Sequence, residues 1–340
     1  MLVDLPSDFP RDIKSKECQR SKKKKIMSEY KTYKKEMINR FWNFQRNNFK
    51  SNQDFLERPY APDDRPPVFQ SEKASKNVII KEGLPDNVKK SILNQIPKSK
   101  RHRWFQSMTS SQALTQSVFG NLKVFNKLDC LAKLIGDDGK PIFIRGLDCN
   151  KHLYLEYVVN YLGEPRPTNV DVFFSGDYRV AVECKLTETK VGPCSAGKQS
   201  KECNGQYKVK MGRSERCLKS SIGAKYWTYI PKLFNWSGDV DYNPCPLLDT
   251  YQLVRNVLAA CVQRDGKLDY KNGHAVLLYD ERNPAFQPGG DGLIAWQNVR
   301  DALKYPSLLK KCTWQQVIAS IRREPELKWL TDSIREKYGF

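Results

Sequence analysis

Asn169-Val170-Asp171-Val172-Phe173-Phe174-Ser175, then Gly176-Asp177, then Tyr178-Arg179-Val180-Ala181-Val182-Glu183-Cys184-Lys185-Leu186 is the stretch whose reading decides the fold. Two runs rich in valine and phenylalanine flank a glycine, which predicts short strands over 169–175 and 179–186 joined as a hairpin. Side chains alternate between the faces of a strand. Val180, Val182, Cys184 and Leu186 then share an apolar face, and Arg179, Ala181, Glu183 and Lys185 share the other. On the first strand Val170, Val172 and Phe174 are apolar partners, while Asp171, Phe173 and Ser175 point the opposite way. A two-residue turn at Gly176-Asp177 would set Asp171 against Val182 and mix the faces. A three-residue loop, Gly176-Asp177-Tyr178, pairs Ser175 with Arg179 and Asp171 with Glu183, and keeps the apolar residues together apart from Phe173 and Ala181. A slip of one residue exchanges the faces, so burial favours the second register or an equivalent bulge.

In that register two carboxylates and an ammonium converge. Asp171 and Glu183 are hard oxygen ligands suited to Mg²⁺ or Mn²⁺. Such an ion would polarise a phosphodiester and help to generate hydroxide from water. Lys185, two residues after Glu183 on the same face, would orient the water or stabilise developing charge. A surface ladder of ion pairs is the plainer alternative. It accounts less well for three ionisable groups on a largely apolar hairpin.

Asp171 followed by Glu183-Cys184-Lys185 resembles the signature of the PD-(D/E)xK nuclease superfamily, with Val170 where the name of that signature has proline. The resemblance implies an α/β, restriction-endonuclease-like core with a mixed central sheet flanked by helices. It also implies a Mg-dependent deoxyribonuclease acting on DNA, and it leaves homodimer formation open. Family members often carry an acidic residue on the helix before the hairpin, and Leu153 to Leu162 has helical spacing that places Glu156 there. A subset carries a glutamine on the following helix. Tyr251-Gln252-Leu253-Val254-Arg255-Asn256 matches that pattern, with Arg255 and Asn256 on the face of Gln252. Gln252 would hold a metal-bound water and Arg255 a phosphate. Together with Ser110-Ser111-Gln112-Ala113-Leu114, this segment is similar to a bacterial restriction-endonuclease-like group within the superfamily. The implied site is Asp171, Glu183, Lys185, Glu156 and Gln252, with Asp171, Glu183 and Glu156 on the metal. Ordinary solvation of exposed helix faces is the alternative for Glu156, Gln252 and Arg255.

The rest of the chain fits a partner rich in phosphate. A formal charge of +20 over 340 residues favours polyanions through counterion release. Lys22 to Lys25 open a basic segment, in which Ile26, Tyr30, Tyr33, Met37, Phe41 and Phe44 mark one face of an amphipathic helix and Lys31, Lys34, Lys35 and Arg40 the other. Residues 50 to 75, with Pro59, Pro62, Pro66 and Pro67, predict a linker or extended wrap. A second basic cluster runs from Lys98 to Arg103, and Ser110 has the chemistry of a helix cap. Pro246 suits the first position of a helix of about 17 residues. Ala275 to Tyr279 predicts a buried strand, and the remainder predicts helix to near Tyr338. Residues 1–100 thus form a basic, partly helical extension, and 101–340 a nuclease-like domain with a polar insertion over 187–245.

That insertion carries Cys194, Cys203, Cys217 and Cys245. Four thiolates can bind Zn²⁺ or an iron–sulfur cluster, although no C-x-x-C pair is present and unconnected reduced thiols are the alternative. Lys190, Lys198, Lys201, Lys208, Lys210 and Arg213 make the same stretch a candidate DNA-contacting loop. His102, His152 and His274 are scattered without ligand spacing. No apolar run reaches the length of a membrane span and the first residues lack a secretory signal, so the expectation is a cytoplasmic protein without a membrane partner. The competing function is a non-catalytic nucleic-acid-binding protein whose cysteines hold a structural zinc or iron–sulfur site.

Overall fold

Apolar residues at helical spacing behind the lysine run produce a long first helix, α1 (Arg11–Phe49). Its Tyr33, Met37, Phe41 and Phe44 are buried, whereas Lys31, Lys34, Lys35 and Arg40 are exposed. The computed structural model describes residues 11–49, 55–58, 64–136, 138–143, 152–196, 203–208 and 217–340. Helix α2 (Asp86–Leu93) follows. Then come α3 (Ser111–Thr115), a π turn over Gln116–Gly120 and α4 (Asn121–Val124). Ser110 caps α3 by accepting a hydrogen bond from the Ala113 N–H, at 3.2 Å.

Five strands form one sheet in chain order: β1 (Leu153–Val159), β2 (Thr168–Phe174), β3 (Arg179–Cys184), β4 (Gly273–Tyr279) and β5 (Leu309–Thr313). The first three run antiparallel, and β3, β4 and β5 run parallel, so the sheet is mixed. Between β3 and β4 the chain forms α5 (Leu218–Ser221), α6 (Tyr226–Leu233) and α7 (Tyr251–Cys261). Helix α8 (Asp291–Ala302) precedes β5, and α9 (Trp314–Ile321) and α10 (Lys328–Tyr338) complete the chain. This is the α/β, helix-flanked mixed sheet that the resemblance implies. Among the described residues no helix is long and apolar enough to cross a membrane.

Both faces of the sheet are covered. On one, Val172, Phe174, Val180, Val182 and Cys184 pack with α1, with Trp314 and Ile318 of α9 and with Leu330 and Ile334 of α10. On the other, Phe173, Ala181, Ala275 and Leu277 pack with α6, α7 and α8. Each large side chain removed from water in this way contributes about 1.5–3 kcal/mol, which is why the sheet is a rigid platform.

Three expectations are corrected. Residues Leu153 to Val159 are a strand, not a helix: the run is rich in tyrosine and valine, and its backbone groups pair with β2. Helix α7 begins at Tyr251, not at Pro246, because Thr250 and Leu248 are already engaged in a turn. The Thr250 hydroxyl donates to the Pro246 carbonyl at 2.5 Å, and the Leu248 carbonyl accepts from Cys194 N–H at 2.8 Å. The C-terminal region also contributes a strand, β5, parallel to β4. Of the basic residues expected in the insertion, Lys198, Lys201, Lys210 and Arg213 lie outside the described residues, as does most of the proline-bearing stretch 50–63.

A buried lysine fastens the last helix. Lys337 has no exposed surface, and its Nζ donates to the Asn77 carbonyl at 2.6 Å and to Asn77 Oδ1 at 2.7 Å. Asn77 Nδ2 in turn donates to the carbonyls of Phe105 and Ser107. Burial lowers the Lys337 pKa to about 7. The unfolded chain therefore binds a proton there that the folded chain lacks, between pH of about 7 and the ordinary lysine value of about 10.4, and stability rises with pH across that window. A Lys337→Met variant is expected to lose this rise. Denaturation midpoints for both proteins from pH 7 to 10 measure it, and parallel profiles would refute the assignment.

Candidate active site

The β2–β3 pairs Val172↔Val182, Phe173↔Ala181 and Phe174↔Val180 define the register. Continued by one step, that register sets Asp171 opposite Glu183 across a loop of Gly176, Asp177 and Tyr178. Both carboxylates thus come to one face near the carboxyl end of β3. In open α/β sheets this is the end at which ligands bind.

Glu156 reaches the same place by a distortion. On β1 the ladder to β2 pairs Leu155 with Val172 and Tyr157 with Val170, but skips Glu156 and Asp171. Glu156 has φ of 52°, in the left-handed region that non-glycine residues avoid. The strand turns over at this point: Leu153 and Leu155 face one core, and Val159 faces the other. Such strain costs on the order of 1–3 kcal/mol and persists only where the surroundings impose it. Here Asn169 Nδ2 donates to Glu156 Oε2 at 3.0 Å, and Lys100 Nζ donates to the Glu156 carbonyl at 3.1 Å. The acidic residue before the hairpin is therefore opposite Asp171 on a strand, not on a helix.

Glu183 is 2% exposed and fully engaged. Its Oε1 accepts from Lys185 Nζ at 2.7 Å, and its Oε2 accepts from Asn256 Nδ2 at 2.7 Å, with Arg255 Nη2 at 3.8 Å. Lys185 Nζ also donates to Gln252 Oε1 at 3.1 Å. The main chain of Lys185 is held on both sides: its N–H donates to the Leu278 carbonyl at 2.7 Å, and its carbonyl accepts from Trp314 Nε1 at 3.1 Å. Arg255 does not face a phosphate as expected. It is buried and donates to the Asn169 carbonyl and to Asn256 Oδ1. Asp171 Oδ2 accepts from the Cys184 N–H at 2.7 Å.

Electrostatics set Asp171 and Glu156 apart from the lysine. Burial pushes the Asp171 carboxyl well above its usual range, and Glu183 and Glu156 push it further. Burial likewise raises Glu156, helped by Glu183 and opposed by hydrogen bonds from Gln112 and Asn169. Burial works against the charge on Lys185, but Glu183, Glu188 and Asp171 outweigh it and raise its pKa. Lys185 therefore keeps its proton at neutral pH.

Asp171, Glu183, Lys185, Glu156 and Gln252 all line one cleft of about 900 Å³. Lys34 of α1, Arg65, His102 and Trp104 line it too, so N-terminal residues form one of its walls. Sequence reading misses several supports. Glu188 accepts from the Leu186 N–H and from the Ser111 hydroxyl, both at 2.6 Å. Tyr33 of α1 donates to the Leu186 carbonyl at 3.0 Å. Asn256 stands out in the sequence only as a polar neighbour of Gln252. Gly192, at φ of 111°, accepts from the Gln252 N–H at 3.1 Å, and a Cβ there would stand 1.6 Å from Gln252 Oε1. No spacing rule announces these contacts, because apart from the local Leu186–Glu188 bond each joins segments far apart in the chain.

Among the described residues no three His, Cys, Asp or Glu side chains are already gathered to hold a metal ion. Mg²⁺, however, is commonly bound through one or two carboxylates with water and substrate phosphate completing its shell. Asp171 and Glu183, crowded and mutually repelling, have the chemistry of such a donor pair.

A family model described as restriction endonuclease associating with ARP matches residues 18–339, and the chain belongs to that family. No curated protein and no solved structure matches the chain.

The raised Asp171 carboxyl implies a penalty on the folded state above the unfolded aspartate pKa of about 3.9, growing until the folded pKa is passed. An Asp171→Asn variant keeps an acceptor for the Cys184 N–H and removes the charge. In chelator at pH 8 it is expected to melt a few degrees above wild type, on the order of 1 kcal/mol or more, with the gain fading towards pH 4. An equal gain at both pH values, or none, would show that the carboxylates do not repel as described.

Proposed function

We propose that this member of the restriction-endonuclease family hydrolyses phosphodiester bonds of DNA in the cleft at the carboxyl end of β3. The observation that carries the reading is the convergence of Asp171, Glu183 and a protonated Lys185, with Glu156 and Gln252 beside them, in one cleft of a strongly basic chain. A chance D-x(n)-E-x-K match has no reason to fall into antiparallel register at a strand end.

Asp171 and Glu183 would hold Mg²⁺ or Mn²⁺; Glu156 lines the same cleft but, among the described residues, is not gathered with them at ligand distance. When bound, the ion supplies Lewis-acid polarisation of the phosphodiester and lowers the pKa of water. The remaining roles belong to the chain. Lys185 carries its charge into the cleft and is positioned to donate to the attacking water or to the developing negative charge on phosphate. It is unsuited to act as a base, because the surrounding carboxylates hold its proton. Gln252, tethered to Lys185, fixes the direction of that donor and offers an amide to the water. Asn256 and Arg255 keep Glu183 oriented. Lys34 and Arg65 on the cleft wall are placed to meet the DNA backbone, which fixes position without reading sequence. In this reading residues 1–100 are a basic extension that helps to build the cleft of the 101–340 nuclease-like domain.

Glu183→Gln and Lys185→Met are each expected to reduce cleavage of plasmid DNA in Mg²⁺ or Mn²⁺ by about 100-fold or more, with DNA affinity measured by gel shift within a few-fold of wild type. Chelator should abolish cleavage by wild type. If wild type binds DNA but cuts neither DNA nor RNA with either ion, a non-catalytic nucleic-acid-binding role replaces this one.

A further inference from the structure

The four cysteines of the insertion are distant in sequence but meet around one turn. Cys194 N–H donates to the Leu248 carbonyl at 2.8 Å, and Leu248 N–H donates to the Cys245 carbonyl at 2.9 Å. Cys245 N–H donates to the Gly205 carbonyl at 2.7 Å, two residues beyond Cys203. Cys217 immediately precedes α5, and its side chain does not cap that helix. Burial and then the sulfurs of Cys217, Cys194 and Cys203 push the Cys245 thiol up to about 12, so all three stand within electrostatic reach of it. The Leu247 N–H is directed at the Cys245 sulfur, a hydrogen bond that favours the thiolate.

Space-filling does not account for this meeting of thiols. Cysteines that merely fill space belong in an apolar core, as Cys184, Cys261 and Cys312 do. Cys194 is buried there too and Cys245 packs against it, but Cys245 also stands within electrostatic reach of Cys203 and Cys217 outside it. Cys203, Cys217 and Cys245 are only half-buried and sit in loops. Four thiols brought towards one turn, with the Leu247 N–H turned to the Cys245 sulfur, are a ligand set suited to a closed structural site for a soft metal.

We propose that Cys194, Cys203, Cys217 and Cys245 form a four-thiolate centre that binds a thiophilic metal, either a single Zn²⁺ or an iron–sulfur cluster. Each thiol loses its proton to solvent as it binds, so loading is favoured by rising pH. The sulfurs do not yet converge at ligand distance among the described residues, so binding draws the loop ends together. The centre cross-links residues 194, 203 and 217 to the turn that leads directly into α7. It therefore supplies order to a polar insertion with little core of its own, as structural zinc does in small domains. The proposal is independent of the nuclease reading, since it concerns different residues and is read without activity.

The test is metal analysis of the full-length chain, expressed separately in zinc- and iron-supplemented medium. Elemental analysis, acid-labile sulfide and visible absorbance distinguish the two sources. About one zinc per chain, released by a thiol-blocking mercurial, marks the first, and about four irons with sulfide and a brown colour marks a [4Fe–4S] cluster. Cys217→Ser and Cys245→Ser should each remove the metal and lower the melting temperature to the same degree, and the double variant should be no worse than either single one. Cys130→Ser, outside the cluster, should retain it. Wild type without stoichiometric thiol-bound metal from either medium, or single variants that keep it, overturns the proposal. The wild-type measurement stands even if a variant fails to fold.

Discussion

A carboxylate that is almost wholly removed from water must be met by donors, and Glu183 is that carboxylate. Leaving it without partners would cost several kcal/mol, so the surrounding fold is arranged to supply them. Asn256 and Arg255 reach it only because α7 lies against the second face of the sheet, held there by Leu253, Val254, Val257 and Leu258. Lys185 reaches it only because its own main chain is pinned between β4 and Trp314. The segment just beyond is held in turn by Tyr33 and by Asn283, whose Nδ2 donates to the Leu186 and Glu188 carbonyls. One buried charge thus draws on α1, on the sheet and on helices before and after it.

Much of this is legible in the hairpin. The alternation of Val180, Val182 and Cys184 against Val172 and Phe174 leaves one register that segregates apolar side chains, and the pairing Val172↔Val182 follows it. The face assigned to Asp171, Glu183 and Lys185 is not polar as a whole, since Ala181 and Phe173 on it are covered by α7. Leu153 to Val159 misleads because a short apolar run satisfies helical and extended patterns equally, and only the partner strand decides. The turned-over backbone at Glu156 has no signature at all. A left-handed glutamate is disfavoured locally and is imposed by its neighbours Asn169 and Lys100. The same holds for Asn256 and Glu188, whose importance depends on what lies opposite them in space.

The balance of charge has two scales. Over the whole chain the excess is positive, which suits attraction to a phosphate backbone at long range. Within the cleft four acidic side chains meet four basic ones, and around Asp171 the carboxylates crowd closely enough to raise the pKa of both Asp171 and Glu156. A polyanion approaching such a place is repelled at the last few ångströms unless cations intervene. Lys185 supplies one, and a divalent ion on Asp171 and Glu183 would supply the other. The strain at Glu156 and the repulsion around Asp171 both weaken the fold, so a more stable version of this chain is easily imagined, at the expense of the arrangement that gives the cleft its chemistry.

Gly192 has a consequence that reaches beyond its own turn. Gln252 fills the volume in which any side chain at position 192 would have to grow. The insertion thus begins with a fixed hand-hold two residues before Cys194, and only further along can the chain lengthen or diversify without disturbing Lys185 through Gln252. Position 192 is the hinge-pin between a fixed chemistry and a replaceable ornament: related chains could carry quite different loops here, provided that each one starts from an unsubstituted backbone at this point.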